Sequence, residues 1–172
     1  IGADRAVVIK HDEEIEPLTV AKALSEIVEK EKPGLILMGK QAIDDDCSQT
    51  GQILAQLCSI PQATFVSQVS IDGETATVVR EIDQGLETLE IDLPAIITTD
   101  LRLNEPSYVK LPDIMTAKKK TLDVIESSEL APDFSSSIEV INVTPPSPRE
   151  SGVMVEDVDQ LFAALKEKGL MS

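Results

Sequence analysis

The chain has 172 residues, a formal net charge of −16 and an apolar content of 42%, of which aromatic side chains supply very little. This length and apolar content suit a single domain with an aliphatic core. The negative charge and the scarcity of aromatic rings argue against nucleic-acid binding, and no apolar run approaches the roughly 20 residues that a membrane span requires.

The first elements predict a β-α-β unit. Residues 6–9 form a short apolar strand, Pro17 begins a helix with apolar residues at helical spacing, and residues 35–38 form a buried strand. Such a unit predicts a right-handed crossover and a parallel sheet.

The run GKQAIDDDCSQTGQ at residues 39–52 links this strand to a helix predicted at 48–58. A polar strand-to-helix turn of this kind is where open α/β folds bind nucleotides, because the helix start offers N–H groups to a phosphate. The alternative is a solvated acidic loop in which Ser48 or Thr50 is an ordinary helix N-cap.

Other site chemistry finds little support in the sequence. Cys47 and Cys58 lie on one predicted helix and too far apart to bridge. Cys47 has no evident base, and His11 is predicted to be a surface or loop residue. We predict no catalytic residue and no metal site, since the acids at 44–46 also lack the spacing of a calcium loop.

The second half combines antiparallel strands, one central strand and an arm. The predicted elements are a hairpin over 64–71 and 75–82 with an Asp72-Gly73 turn, strands at 86–91, 93–98 and 121–125, a helix from Pro112 to about Lys119, and a Ser/Pro-rich segment at 127–151 with a short strand at 138–143. An amphipathic helix with Val158, Leu161, Phe162 and Leu165 on its apolar face closes the chain at Gly169. The fold class is therefore α/β: a Rossmann-like parallel sheet with flanking helices, an antiparallel hairpin insertion and an extended C-terminal arm that ends in a helix.

Two long stretches resemble the beta subunit of electron transfer flavoproteins of the mitochondrial and related bacterial type. They are KQAIDDDCSQTGQ and the segment at 80–120 that runs from REIDQGLETLEIDLP to IMTAKKK. The similarity extends from GADRA at 2–6 to the closing helix at 156–169. It implies an adenine nucleotide alpha hydrolase-like fold. Residues 1–126 would be the C-terminal part of one nucleotide-binding domain, and 127–172 an arm and helix that pack on the partner subunit. The family's preceding half-domain is absent, so we expect this chain to be the C-terminal portion of a longer polypeptide.

The resemblance implies a structural AMP in the polar turn, bound by Asp45, Ser48, Gln49 and Thr50. Ser48 replaces an asparagine common in the family, which a backbone contact would tolerate. The DDDC pattern favours AMP over the second FAD that bifurcating relatives bind there.

The resemblance also implies a docking role for Glu81, with Arg80 beside it. By itself, Arg80-Glu81 is more typical of a surface ion pair. In the family, this glutamate faces an arginine of the partner subunit's mobile flavin domain and holds that domain in a docked orientation.

Leu111 matches the family's anchor for dehydrogenases, within a recognition segment that includes Pro112, Ile114, Met115 and Lys119. The alternative is that Leu111 packs on its own helix as a hydrophobic staple. Lys119 matches a lysine that is methylated in relatives, whereas Thr116 replaces the other such position.

The function implied is that of an electron carrier subunit rather than an enzyme. It would form a heterodimer with an alpha subunit that holds most of the FAD, and it would carry electrons from acyl-CoA dehydrogenases to the membrane-bound electron transfer flavoprotein-ubiquinone oxidoreductase without entering the membrane. The expected location is the mitochondrial matrix, with the bacterial cytoplasm as the alternative. A stand-alone adenine-nucleotide-binding module of the stress-response type, or an inactive truncated product, remain competing interpretations.

Overall fold

The computed structural model describes residues 1–149 and 151–171. The described chain falls into two compact units, Ile1–Ser137 and Ile138–Ser172. The first unit contains both sheets, and the second contains the C-terminal segment with its helix. The predicted domain boundary after residue 126 stays a prediction.

Most predicted elements are present with boundaries shifted by a few residues. In chain order they are β1 (Arg5–Lys10), α1 (Pro17–Glu31), β2 (Leu35–Gly39), α2 (Thr50–Cys58), β3 (Gln62–Asp72), β4 (Thr75–Ile82), β5 (Gly85–Asp92), β6 (Ala95–Thr99), α3 (Leu111–Ala117), β7 (Thr121–Glu126) and α4 (Val158–Glu167). A short 3-10 turn, Ser127–Glu129, follows β7.

The larger sheet has five strands in the order β2-β6-β3-β4-β5. The pairs β2-β6 and β3-β6 are parallel, whereas β3-β4 and β4-β5 are antiparallel. The fold class is thus α/β, with an antiparallel hairpin added to a parallel sheet that helices flank.

The predicted sharing of one sheet by the first two strands is wrong. β1 pairs in parallel with β7 in a separate two-stranded sheet, while β2 pairs with β6. β2 is consequently an edge strand rather than a buried one, and Leu37 is 55% exposed. Local apolar pattern identifies a strand, but the pairing partner depends on residues distant in sequence.

β6 is an interior strand of the sheet, between β2 and β3, and it is as buried as the sequence predicts. Its neighbouring residues Ile96 and Ile97 are both fully buried, one in each of two cores. Ile96 packs with Leu54 and Ala55 of α2 and Ala21 of α1. The other core contains Ile97 together with the buried Ala63, Val66, Ala76 and Val78 of the hairpin strands. Both cores are aliphatic, as the composition predicts.

The hairpin turn lies one residue later than predicted. Asp72 still pairs with Thr75, so the two-residue turn is Gly73-Glu74. Gly73 has a φ of +58°, which a glycine adopts without the steric cost that a side chain would add. The hairpin was predicted correctly, but its turn was predicted one residue too early, at Asp72-Gly73.

Helix α4 ends as predicted. Gly169 has a φ of +69°, its N–H bonds the Lys166 carbonyl at 3.0 Å, and the Leu170 N–H bonds the Leu165 carbonyl at 3.0 Å. This pair of bonds is a Schellman motif. The strand predicted at 138–143 is wrong, because this segment forms no ladder with any described strand.

Candidate functional site

The turn between β2 and α2 lines a cavity of about 270 Å³ at the carboxyl end of β2. The four residues predicted to bind AMP all face it: Asp45, Ser48, Gln49 and Thr50. Side chains of α1 and β2 complete the wall with apolar surface from Val20, Leu24 and Met38. The cavity therefore joins an apolar wall to a rim of polar loop atoms.

Hydrogen bonds within the turn hold its acidic residues. The Asp45 carboxylate accepts the Cys47 N–H at 3.2 Å, the Asp46 N–H bonds the Ala42 carbonyl at 3.0 Å, and the Gln41 side chain donates to the Asp46 carboxylate. Asp46 and Ser48 adopt left-handed conformations, with φ of 54° and 53°. Asp45 thus orders the loop backbone through this local hydrogen bond.

Helix α2 begins two residues later than predicted, at Thr50. Its N-cap is Gln49, which makes no side-chain capping bond, so neither Ser48 nor Thr50 is the N-cap. Cys47 accordingly lies outside this helix, which corrects the expectation that it shares a helix with Cys58; both thiols are free.

Gly51 lets the first turn of α2 approach β6. A Cβ built on Gly51 would lie 2.4 Å from the Thr98 Cγ2 atom, closer than real contacts allow. Thr98 cannot turn freely, because its Oγ1 accepts the Phe65 N–H at 3.3 Å. The close approach places the start of α2, which lines the cavity, directly against β6.

A second cluster of polar residues surrounds Glu81. Its carboxylate receives Nη1 of Arg102 at 2.6 Å and also contacts Nη2. The Nε of Arg102 donates to Asp100 Oδ1 at 2.7 Å, and the other Asp100 oxygen accepts Lys40 Nζ at 2.5 Å. We call these four residues, Lys40, Asp100, Arg102 and Glu81, the charge chain.

Protonation follows from these contacts. Hydrogen bonds from Arg102, then Lys40, hold the pKa of Asp100 well below its usual range. The hydrogen bond from Arg102 likewise lowers the pKa of Glu81, and the two carboxylates raise the pKa of Arg102. All three groups are therefore charged near neutral pH.

Arg80 and Glu81 do not pair with each other. Adjacent residues of a strand point to opposite faces. Arg80 donates from Nε to Glu87 Oε2 at 2.7 Å and from Nη1 to Thr64 Oγ1 at 3.0 Å. The structure therefore separates Arg80 from the charge chain that holds Glu81.

Sequence reasoning missed the other members of the charge chain. Asp100 and Arg102 follow β6, and Lys40 follows β2, so all three come from the carboxyl ends of neighbouring parallel strands. The sequence did contain a signal for this cluster, namely polar residues directly after two apolar strands.

The residues of the predicted recognition segment are exposed together. Leu111 is the first residue of α3 and is 72% exposed, which does not support packing as a staple on its own helix. Pro112, Ile114 and Met115 share the helix, and none of its residues is buried. Lys119 lies in the turn that follows α3.

His11 lies in the loop after β1, which agrees with the predicted surface or loop position, and it is half-buried. Its Nδ1 lies 3.0 Å from Ser127 Oγ, and its ring centroid lies 5.1 Å from that of Phe134. Across the described ranges, 1–149 and 151–171, no group of His, Cys, Asp or Glu has a geometry that could hold a metal, and no helix is long and apolar enough to cross a bilayer.

Comparison with known proteins places these features in one family. Residues 1–130 match the electron transfer flavoprotein domain family. The chain is 52% identical over 170 residues to the mitochondrial electron transfer flavoprotein subunit beta of Arabidopsis thaliana, covering 98% of this chain and 68% of the relative. It is 51% identical over 173 residues to the human electron transfer flavoprotein subunit beta, with the same two coverages.

A third relative, from Oryza sativa subsp. japonica, is 51% identical over 172 residues, again covering 98% of this chain and 68% of the relative, and is also named mitochondrial. These names support the predicted mitochondrial location. Identity of about one residue in two over nearly the whole chain, joined to the domain match, is far more than the shared fold alone requires. The chain belongs to the electron transfer flavoprotein beta-subunit family.

Proposed function

We propose that this chain acts as the beta subunit of a heterodimeric electron transfer flavoprotein, in which it binds AMP as a structural ligand and presents the dehydrogenase-docking segment. The partner is an alpha subunit that holds most of the FAD, which supplies the redox chemistry. Electrons pass from acyl-CoA and related dehydrogenases to a quinone-linked oxidoreductase of the respiratory chain. This chain contributes binding and orientation.

The observation that carries the AMP proposal is the convergence of Asp45, Ser48, Gln49 and Thr50 on one cavity. Its volume of about 270 Å³ is slightly below the usual range for small-ligand sites, so it suits a mononucleotide better than FAD. The apolar wall suits the base. Lys40, which also lines the cavity, and the loop N–H groups suit the phosphate.

Replacing Thr50 by Val tests this site while nearly preserving side-chain shape. The loss of a hydroxyl bond to a charged phosphate is expected to weaken AMP binding about tenfold, measured by isothermal titration calorimetry on the nucleotide-stripped heterodimer. Thr88→Val is the matched control, since Thr88 is exposed on β5 and lies outside the cavity. Equal AMP affinity in the two variants would contradict the assignment of Thr50.

The docking proposal rests on the exposed apolar surface of α3. Because Leu111 is exposed, it can enter a pocket of another protein without disturbing the core of this one. We expect Leu111→Ala to lower the rate of dehydrogenase-coupled flavin reduction at least about tenfold while AMP binding and the melting temperature stay unchanged.

Ile71→Ala is the control for Leu111→Ala. Ile71 is also exposed, and it lies on β3 beside the hairpin turn, where it pairs with Ala76. Glu81 lies near the other end of β4. Loss of dehydrogenase coupling in both variants, or in neither, would contradict a specific role for Leu111.

The second compact unit is proposed to pack on the alpha subunit. Ile141 and Val143 are 91% and 82% exposed, and Phe162 on the apolar face of α4 is 53% exposed. Native mass spectrometry of the purified complex, followed by denaturation, tests the assembly. A heterodimer that releases one FAD and one AMP is the expected result, and a lone chain carrying only nucleotide would favour the stand-alone binding module.

A further inference from the structure

The charge chain alternates in sign and ends at the surface. Asp100 lies at its centre, with a side chain that is only 3% exposed and that binds Lys40 on one oxygen and Arg102 on the other. Glu81 is the outer member, and its side chain is 48% exposed. The chain therefore runs from a buried carboxylate to an accessible one.

Asp100 keeps Arg102 in position. The side chain of Arg102 bonds Asp100 through Nε, and the Arg102 backbone N–H donates to the same carboxylate oxygen at 3.1 Å. A buried carboxylate is costly to leave without its cations, so the guanidinium stays at this place whatever Glu81 does. The two terminal nitrogens of Arg102 are thereby fixed towards Glu81.

The positive charge of Arg102 consequently lies against the Glu81 carboxylate before any other chain binds. Both of its oxygens are engaged by Arg102 in a bidentate pair. Glu81 also lies on the rim of a cavity of about 460 Å³ that Phe65, Asp83 and Leu86 help to line. A guanidinium arriving from another chain can reach the outward side of the carboxylate, but it meets the field of Arg102 there.

We propose that Arg102 is a positioning residue that weakens the hold of Glu81 on the partner subunit's cation, so that the flavin domain docks reversibly. This inference rests on the proposed function as a beta subunit and on the docking role that the family resemblance implies for Glu81. Arg102 acts through Glu81, because it neutralises the carboxylate that would otherwise attract a second guanidinium. Reversible release is what a domain that alternates between docked and free positions requires.

The proposal predicts the sign of the effect. Arg102→Gln removes the fixed positive charge and leaves Asp100 paired with Lys40 at 2.5 Å, so the buried carboxylate keeps a cation. The ratio of docked to undocked flavin domain should then rise about fivefold at low salt, the size expected for removing one like charge at a partly exposed site. Arg102→Lys keeps the charge but loses the bidentate geometry, so it should change the ratio much less.

The ratio can be measured by double electron–electron resonance on the full heterodimer. One spin label is incorporated as a non-natural amino acid at Asp92, which is exposed at the end of β5, and the other at the surface of the partner's flavin domain. The measurement compares five proteins at two salt concentrations: wild type, Glu81→Gln, Arg102→Gln, Arg102→Lys and the double variant Glu81→Gln/Arg102→Gln.

The expected pattern is that Glu81→Gln lowers the docked population, Arg102→Gln raises it, and the double variant behaves like Glu81→Gln alone. An unchanged population in Glu81→Gln would overturn the proposed role of Glu81 and, with it, this inference. A lowered population in Glu81→Gln together with no rise in Arg102→Gln would overturn the inference and leave the docking role of Glu81 standing. A rise that persists in the double variant would show that Arg102 does not act through Glu81.

Discussion

Gly51 provides the sharpest test of how the fold positions the cavity that is proposed to bind AMP. In Gly51→Ala the new Cβ would lie 2.4 Å from Thr98 Cγ2, about 1 Å short of ordinary contact. Thr98 is 2% exposed, and turning its methyl away would break the bond from the Phe65 N–H. The start of α2 must therefore move away from β6.

The cost follows from this displacement. Overpacking of a buried contact costs about 1–3 kcal/mol, and the better helix propensity of alanine offsets up to about 1 kcal/mol. We expect a net loss of about 1–2 kcal/mol in the free energy of unfolding, or roughly 3–6 °C in melting temperature for a chain of this length. Because Gly51 also lines the cavity, AMP affinity should fall as well.

Urea denaturation and calorimetric melting measure the loss, with Gly34→Ala as control. No atom lies within 4 Å of a Cβ built on Gly34, so its substitution should change stability by less than about 0.5 kcal/mol. Thr98→Ser deletes the clashing methyl and keeps the hydroxyl that binds Phe65. The double variant Gly51→Ala/Thr98→Ser should therefore be as stable as Thr98→Ser alone, to within about 0.5 kcal/mol.

Two results would refute the reasoning. One is a Gly51→Ala variant as stable as wild type, which would mean that α2 and β6 adjust without cost. The other is strict additivity of Gly51→Ala and Thr98→Ser, which would mean that the two side chains do not meet.

Further predictions concern charge and capping. The pKa of Asp100 is lower in the folded state than unfolded, so its contribution to stability is present above pH about 4 and is lost as pH falls towards the folded pKa. The difference in melting temperature between wild type and Asp100→Asn should thus be constant from pH 5 to 8, which begins about one unit above the ordinary aspartate pKa. This difference should become smaller below pH about 4. A difference that stays constant down to pH 3, roughly one unit below the ordinary pKa, would contradict the prediction. Asp157 caps α4 by accepting the Gln160 N–H at 2.8 Å, so Asp157→Ala should cost about 1 kcal/mol of local stability in amide exchange of α4. Asp159→Ala, in the same turn but not at the cap, should cost less, and equal losses would rule out the cap.

Local signals predicted the elements well. Pro17 begins α1, and Lys32 closes it in a left-handed conformation just before Pro33. Gly169 ends α4 through its positive φ. These residues act within a few positions of themselves, so a pattern in the sequence is enough to locate them.

The site residues also differ in how far apart they lie in the sequence, and this decided which of them could be predicted. The residues proposed to bind AMP share one short turn, so covalent continuity brings Asp45 and Thr50 to the same cavity. The charge chain was not predicted, because Lys40 and Asp100 are 60 residues apart and meet only through the pairing of β2 with β6. The docking role expected for Glu81 came from the resemblance, whereas its contact with Arg102 came from the structure.

By itself, the sequence determined the α/β class, the start of α1 at Pro17, the end of α4 at Gly169 and the polar turn at 39–52, because each depends on residue type and short spacing. The family came from the resemblance of two long stretches to known proteins. Only the tertiary structure decided that β1 pairs with β7 rather than joining β2, that β2 is an exposed edge, and that Glu81 is bound by Arg102. Strand partners and charge networks depend on which distant segments come together in the fold. A periodic pattern along one segment does not contain that information.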